Sequence, residues 1–282
     1  MTARSAGRSL LSVEQPFWSG NTEARRQEPT PGLVRSLSPS KSRAYLTCPR
    51  QYRFRYVERR TGPHPRPAVL VVGTLLHRVV AAYMAERPTG AADALDLVGR
   101  LLEEAAAEYT PEELAPVGDQ IAGLILDLHR GAATLIPPDA DGLDCELPLR
   151  ASLGPLTLYA RADVVWRAHG RVIHDEYKLS EPDPFHLQIA TACAHLGLRQ
   201  RPDASTASIR HRLVVFRPTC HVRDLAFDES TFRLALHRLW DVASQIGAER
   251  AWPARPHPRA CGACEFAGVC DAVIRSIDEA PF

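Results

Sequence analysis

The order of helical and strand-like segments predicts an α/β protein in which helices flank a mixed central β-sheet. Residues 91–135 are rich in Ala, Leu and Glu and carry apolar residues at helical spacing, which predicts a helical layer. After Pro137 and Pro138 the pattern changes to short runs typical of β-strands. We predict strands at 143–152, 156–166, 172–178, 209–216 and 222–227, and helices at 185–198 and 230–246.

Two further helices are predicted near the N-terminus. Ser38 or Ser40 is available to cap the first of them, which is strongly basic. The prolines of 62–67 then require a turn, and an apolar helix follows through Gly73 to Met84.

Length and composition narrow the class of protein. The chain has 282 residues, enough for one large domain or two modest ones. Hydrophobic residues make up 45% and charged residues 24%, as in ordinary soluble proteins, and the net charge of +1 excludes a polycation. No stretch approaches the roughly 20 apolar residues that span a bilayer, so no membrane partner is expected.

The chain is predicted to form a single domain at 35–282 after a disordered leader at 1–34. The leader is basic and lacks the apolar core of a secretory signal, so a cytoplasmic location is expected. Within the domain we expect a helical layer at 75–136, a sheet core at 143–227 and a cysteine-bearing loop at 252–271.

Basic residues are concentrated between Arg35 and Arg60, where eight stand against one acid, Glu58, with aromatic residues between them. Such a strip can contact nucleic-acid phosphates. The alternative is an amphipathic helix with a core-facing aromatic side and solvated arginines. The candidate DNA-binding residues are Lys41, Arg43, Arg50, Arg53 and Arg55.

A predicted hairpin brings two carboxylates together. His169-Gly170 is typical of a two-residue turn, which makes Ala168 face Arg171. Counting back from the turn places Asp163 opposite Glu176, with Lys178 two residues further along the same face.

Opposed carboxylates repel each other, and a divalent cation would offset that repulsion. Mg²⁺ or Mn²⁺ fits because such ions are commonly held by one or two carboxylates. Lys178 would then lie beside the ion. The alternative is a solvated cross-strand ion pair of Asp163 with Lys178, worth less than about 1 kcal/mol.

Three of the seven cysteines, Cys261, Cys264 and Cys270, fall in one ten-residue window, which favours metal ligation over disulfides. Zinc sites and iron–sulfur clusters typically need four ligands, and Cys48 is the candidate for the fourth. Spacing alone leaves Zn²⁺ and iron–sulfur open.

These motifs together resemble the RecB-like branch of the PD-(D/E)XK nuclease superfamily, over residues 36–271. The resemblance rests on the segment 38–56 around Cys48, Gly73-Thr-Leu-Leu-His77, Asp163, Glu176-Tyr-Lys178, Gln188 and the terminal cysteines. It implies a restriction-endonuclease-like core with a helical insertion and a cysteine-stapled C-terminus.

The resemblance also implies roles for single residues. His77, Asp163 and Glu176 would bind the catalytic metal, Lys178 would activate water, and Gln188 would complete the catalytic set. A [4Fe-4S] cluster would be held by Cys48, Cys261, Cys264 and Cys270.

Two positions depart from the pattern of that branch. Position 192 is Ala where the family's glutamine motif commonly has Tyr. The lysine motif reads Glu176-Tyr-Lys-Leu-Ser180 in place of the usual Asp-Tyr-Lys-Thr-Gly. Neither change removes a predicted ligand.

We therefore expect a Mg²⁺- or Mn²⁺-dependent deoxyribonuclease, of exonuclease type, that acts on single-stranded DNA or a duplex end in repair or recombination. A helicase or recombination protein is a candidate partner. One alternative is a catalytically silent DNA-binding subunit of a repair or CRISPR-adaptation complex. The other is a zinc-stapled interaction protein.

Overall fold

The computed structural model describes residues 34–61, 67–204 and 207–272, with the side chains of 133 and 134 left out. Nearly all of the predicted leader, and the predicted turn at 62–66, lie outside these residues. The helices are α1 (Pro39–Thr47), α2 (Pro49–Tyr52), α3 (Ala68–Glu86), α4 (Ala91–Ala105), α5 (Pro111–Leu114), α6 (Gly118–Leu135), α7 (Pro184–Arg199), α8 (Glu229–Ala248) and α9 (Pro258–Gly262). The strands are β1 (Ser36–Leu37), β2 (Gly142–Leu153), β3 (Leu156–Ala168), β4 (Arg171–Lys178), β5 (Ser208–Val215) and β6 (His221–Asp224).

The sheet is mixed, as predicted. Its order is β1-β3-β4-β5-β6, and β2 also pairs with β3. The β1·β3 and β4·β5 pairs are parallel, whereas β2·β3, β3·β4 and β5·β6 are antiparallel.

Strand β3 has neighbours on both edges, and one of these edges is interrupted. β2 follows almost the whole length of β3 on one edge. β1 pairs only at Thr157 and Leu158, and β4 only from Val164 to Ala168, so these two strands share the other edge. On the edge between β1 and β4, the backbone of 159–163 therefore pairs with no strand in the described part of the chain.

The hairpin register is confirmed. His169 and Gly170 both have positive φ, 44° and 78°, which is typical of the two-residue turns that match strand twist. Ala168 pairs with Arg171, and the ladder continues in the predicted register as far as Val164 opposite Asp175. The next pair would be Asp163 with Glu176, and the ladder ends just before it.

Helices cover both faces of the sheet and form two main cores. On one face α3, α4 and α6 pack around Val164, Trp166 and Tyr177. On the other face α1, α7 and α8 pack around residues such as Tyr45 and Leu239. Helices therefore lie against the sheet on both of its faces.

The basic N-terminal segment is broken where a single helix was expected. Ser38 caps α1, its hydroxyl accepting from the Lys41 amide at 3.3 Å. Cys48 is extended, with φ −159°, because a residue before proline avoids the helical conformation. α2 then starts at Pro49, and a π-helical turn follows at Arg53–Val57.

Helix α3 contradicts the expectation that no stretch of the chain approaches the apolar length that spans a bilayer. Within its 19 residues an 18-residue window has a mean hydropathy of 1.7, which by length and composition is enough to cross a membrane. In this structure 44% of that window is buried inside the protein, and residues such as Leu75 and Met84 belong to the core.

Candidate functional site

A cleft of about 1020 Å³ opens beside the unpaired edge of β3. Its walls come from the starts of α1 and α3, the middle of β2 and β3, and the end of β4 with the loop that follows. His77, Asp163, Glu176 and Lys178 all line this cleft. Four of the predicted site residues therefore meet in one place.

His77, Glu146 and Asp163 form the one group among the described residues with at least three potential metal ligands within 4.8 Å of one another. His77 Nδ1 lies 3.2 Å from Asp163 Oδ1 and 3.7 Å from Glu146 Oε1. An imidazole nitrogen with two carboxylates is a donor set suited to a divalent ion. Glu146 was not predicted.

The backbone explains how Glu146 reaches this group. The β2·β3 ladder passes from Cys145–Val164 to Leu147–Ala162 and omits the pair between them, Glu146 with Asp163. Glu146 has a φ of +51°, which is unusual for a residue with a side chain. Strand alternation does not predict this local distortion of β2. From the sequence, Glu146 was only an acid within a predicted strand.

Glu176 and Lys178 complete the acidic site from β4. Lys178 Nζ lies 2.5 Å from Glu176 Oε1 and 3.8 Å from Asp163 Oδ2. The Tyr177 amide donates to Asp163 Oδ2 at 2.8 Å, at the point where the ladder stops. The two predicted carboxylates thus lie on either side of the predicted lysine, and both are only 7% exposed.

The charges in this cluster stabilise one another. Burial alone would raise the pKa of Asp163, but the charge of Lys178 and the hydrogen bond to His77 lower it overall. Burial likewise opposes the charged form of Lys178, yet Glu176 and Asp163 raise its pKa. Burial also disfavours a charged His77, but Asp163 raises the pKa of the imidazole. The carboxylate and ammonium are both ionised at neutral pH, and a metal ion would compete with the His77 proton.

A profile of the PD-(D/E)XK nuclease superfamily matches residues 36–271. The chain belongs to this superfamily. The match covers most of the chain and includes all of the cleft residues, so the PD-(D/E)XK assignment and the mixed α/β fold are confirmed.

One solved structure agrees at the level of the fold, and a second aligns with a lower TM-score. A protein from Eubacterium rectale described as "Putative exonuclease" aligns with a TM-score of 0.51 and 13% identity, over 84% of this chain and 86% of that one. A structure described as SSO0001 aligns with a TM-score of 0.39 and 16% identity, over 85% and 87% of the two chains. No curated protein matches the sequence.

Gln188 is not brought into the PD-(D/E)XK cleft. It lies on α7 outside the lining of the cleft, and its Oε1 accepts from Arg238 Nη1 at 2.8 Å. Arg238 in turn lies over the Phe185 ring. This contact joins α7 to α8 and places Gln188 between the two helices.

The predicted DNA-binding strip is mostly engaged within the protein. Arg50 pairs with Asp271 and Arg55 with Glu265, both in the C-terminal segment, while Arg53 pairs with Glu58 at 2.5 Å. Lys41 Nζ donates to Ser36 at 3.3 Å. Four of the five candidate residues therefore have partners within the protein, and their contact with DNA stays a prediction.

Arg43 is the exception in this strip. It is exposed, lines the cleft and forms no ion pair within the described part of the chain. Its charge also acts on Lys178.

The four predicted cysteine ligands line one small pocket, which α1, α2 and the C-terminal loop enclose. Burial raises the pKa of the Cys264 thiol, and the neighbouring Cys48 and Cys270 add to the effect. No three of these sulfur atoms, all in the described chain, lie within 4.8 Å of one another. The structure thus gathers the cysteines without forming a closed set of ligands.

A row of histidines, which sequence reasoning missed, lies behind Glu176. His174 Nε2 is buried without a hydrogen bond, 3.6 Å from Glu176 Oε2. His174 Nδ1 lies 3.0 Å from His211 Nδ1, and His211 Nε2 lies 2.9 Å from His195 Nδ1. Alternation on β4 could have placed His174 beside Glu176, but the contact with His195 requires the packing of α7 on the sheet.

Proposed function

We propose that this protein is a metal-dependent DNA nuclease of the RecB-like branch that hydrolyses phosphodiester bonds as an exonuclease. The observation that carries the proposal is the meeting of His77, Asp163, Glu176 and Lys178 in one cleft of a PD-(D/E)XK fold. Repair or recombination in the cytoplasm is the proposed setting.

The donor set fits Mg²⁺ or Mn²⁺, because carboxylate oxygens dominate it. His77, Asp163 and Glu146 would hold the ion from one side, and Glu176 would approach from β4. When bound, the ion would polarise the phosphate and make a neighbouring water more acidic.

The residues themselves supply the rest of the chemistry. Lys178 is held between Glu176 and Asp163, and its raised pKa keeps it protonated. A protonated lysine acts as a donor and a charge stabiliser, so it would orient the attacking water and stabilise charge on the phosphate. The Tyr177 amide fixes Asp163 in the orientation this requires.

The test is a cleavage assay with Mn²⁺ on end-labelled single-stranded and duplex DNA. Asp163→Ala and Lys178→Ala should each lower the rate by at least about 100-fold, because the first removes a proposed metal ligand and the second removes a positive charge beside the phosphate. The matched control is Glu181→Gln, an exposed acid on the same cleft that pairs with Arg223 at 3.1 Å.

The outcomes separate the candidate functions. Loss of cleavage in both alanine variants, with cleavage retained in the control, supports the nuclease. DNA binding without cleavage by the unaltered protein would favour the catalytically silent subunit. Cleavage unaffected by Asp163→Ala would refute the proposed site.

We also propose that Cys48, Cys261, Cys264 and Cys270 hold a [4Fe-4S] cluster. Their single pocket and the resemblance to the RecB-like branch support four-cysteine ligation.

Metal analysis after anaerobic purification tests this cluster. The proposal expects iron and sulfide at a ratio near one, a brown colour, and loss of both in Cys264→Ser. A colourless protein that contains zinc would refute the iron–sulfur assignment and favour the zinc-stapled alternative.

A further inference from the structure

The cleft contains an exposed aromatic side chain on a central strand of the sheet. Tyr159 lies on β3 and is 47% exposed, although β3 is paired along its other edge. Tyr159 lines the cleft, where the β3 edge from 159 to 163 lies between β1 and β4.

Exposed apolar side chains are few in the described chain, and two of the six large ones line this cleft. Val69, at the start of α3, is 53% exposed, and Tyr159 is the other. Apolar surface beside a charged catalytic cluster fits a ligand that has both an apolar face and negative charge.

The spacing along β3 relates Tyr159 to the carboxylates. Tyr159 and Asp163 are four residues apart on an extended strand, which corresponds to about 13 Å. That is within one or two nucleotides of a phosphate held at Asp163. Arg43, exposed and without an ion pair in the described chain, lines the same cleft and is available to a neighbouring phosphate.

We propose that Tyr159 is a stacking platform for an unpaired nucleobase, and that it selects single-stranded DNA over intact duplex. Every base presents an aromatic face, but bases inside a duplex are already stacked on their neighbours. The proposal rests on the nuclease function proposed above, because it places the strand with its phosphate at Asp163. It adds to that function the class of substrate, which is single-stranded DNA.

The test measures binding in buffer containing EDTA, so that cleavage does not interfere. Fluorescence anisotropy compares labelled oligothymidylate, an abasic oligonucleotide of equal length and a blunt duplex. Tyr159→Ala should weaken oligothymidylate binding by roughly 5- to 150-fold, the loss expected for one stacked base. Tyr159→Phe should retain affinity, and the abasic strand should bind both proteins equally.

The matched control is Leu234→Ala, which removes an equally exposed side chain on α8, away from the cleft. Its affinity for oligothymidylate should equal that of the unaltered protein. Circular dichroism of each variant verifies that the sheet is retained, and Tyr159→Thr repeats the test with a residue that favours strands.

Three results would overturn the inference: unchanged oligothymidylate affinity in Tyr159→Ala, equal binding of abasic and base-bearing strands, or no single-strand binding at all. Failure of the nuclease proposal gives a different result. In that case the protein binds single strands through Tyr159 but does not cleave them with Mn²⁺.

Discussion

The unusual backbone conformation of Glu146 brings its carboxylate into the candidate metal site. Its φ of +51° takes it out of the β2·β3 ladder and brings its carboxylate to His77 and Asp163. Such strain persists only where the surroundings fix it, and it is concentrated at functional sites. Arg161 helps by donating to the other carboxylate oxygen of Glu146 at 3.1 Å.

Glu146→Gln should therefore weaken Mn²⁺ binding. Loss of one charged ligand is expected to lower the affinity by roughly 10- to 100-fold, a range also seen when supporting residues of metal sites are removed. Isothermal titration with Mn²⁺ measures the change, and Glu181→Gln is the control because its carboxylate lies in the same cleft outside the ligand group. Equal affinity of Glu146→Gln and the unaltered protein would show that Glu146 is not a ligand.

The buried histidines should make stability depend on pH. Burial, with a contribution from Arg199, lowers the pKa of His195 to about 4, and burial lowers the pKa of His211 well below its usual range. The unfolded chain binds these protons near pH 6.5, whereas the folded protein does not. The stabilisation that these two neutral histidines contribute is therefore complete above about pH 6.5, and it is lost as the pH falls toward 4.

Urea unfolding at about pH 7.5 and about pH 5 measures this loss. His195→Gln should show a smaller drop in free energy of unfolding between the two pH values than the unaltered protein. His237→Gln, which changes an exposed histidine on α8, should show the same drop as the unaltered protein. An identical pH dependence in the His195 variant would contradict the expectation.

At the scale of elements, α7 packs unusually close to the sheet. A methyl group added at Gly197 would lie 2.8 Å from Leu149 Cβ and 3.3 Å from its Cδ1. A glycine is required here because the helix lies against β2, and this approach also brings His195 to His211. The α7·β2 contact thus helps to set the surroundings of Glu176.

Gly197→Ala should consequently destabilise the protein by about 1–3 kcal/mol, the usual cost of overpacking a core. Gly99→Ala is the control, since no atom lies within 4 Å of the added methyl group on exposed α4. That change should stabilise the protein by up to about 1 kcal/mol through helix propensity. The measurement is the urea midpoint of each variant, and a Gly197→Ala protein as stable as the parent would refute the close contact.

At the scale of the whole molecule, the two ends of the described chain are joined. Phe54 packs edge-on against Phe266, which is only 1% exposed, and Tyr52 stacks on Trp252. Arg50 and Arg55 add ion pairs to the same C-terminal segment. These contacts surround the cysteine pocket, so a cluster held there would fix α1, and with it Arg43, relative to the cleft.

Cys264→Ser is therefore expected to lower solubility and DNA binding together. The fraction of protein that stays in solution after centrifugation and anisotropy with single-stranded DNA measure the two effects. Cys220→Ser is the control, because Cys220 lies outside the pocket. A Cys264→Ser protein that is well folded and fully active would contradict a structural role for the cysteines.

The sequence by itself determined the hairpin and its register. The turn at His169-Gly170 and the alternation of apolar residues are local, so they fixed where Asp163, Glu176 and Lys178 lie relative to one another. Most helix and strand positions could also be predicted from the sequence, because they follow from periodicity over neighbouring residues. The gathering of the cysteines was predicted by their spacing together with the family resemblance.

The tertiary structure alone decided which groups complete the site. The position of Glu146 depends on a distorted ladder, that of His195 on helix packing, and that of Tyr159 on the assembly of a cleft from segments distant in sequence. The pairing of Arg50 and Arg55 with C-terminal acids likewise follows from the tertiary structure. Each of these depends on contacts between segments far apart in the chain, and local sequence patterns do not predict such contacts.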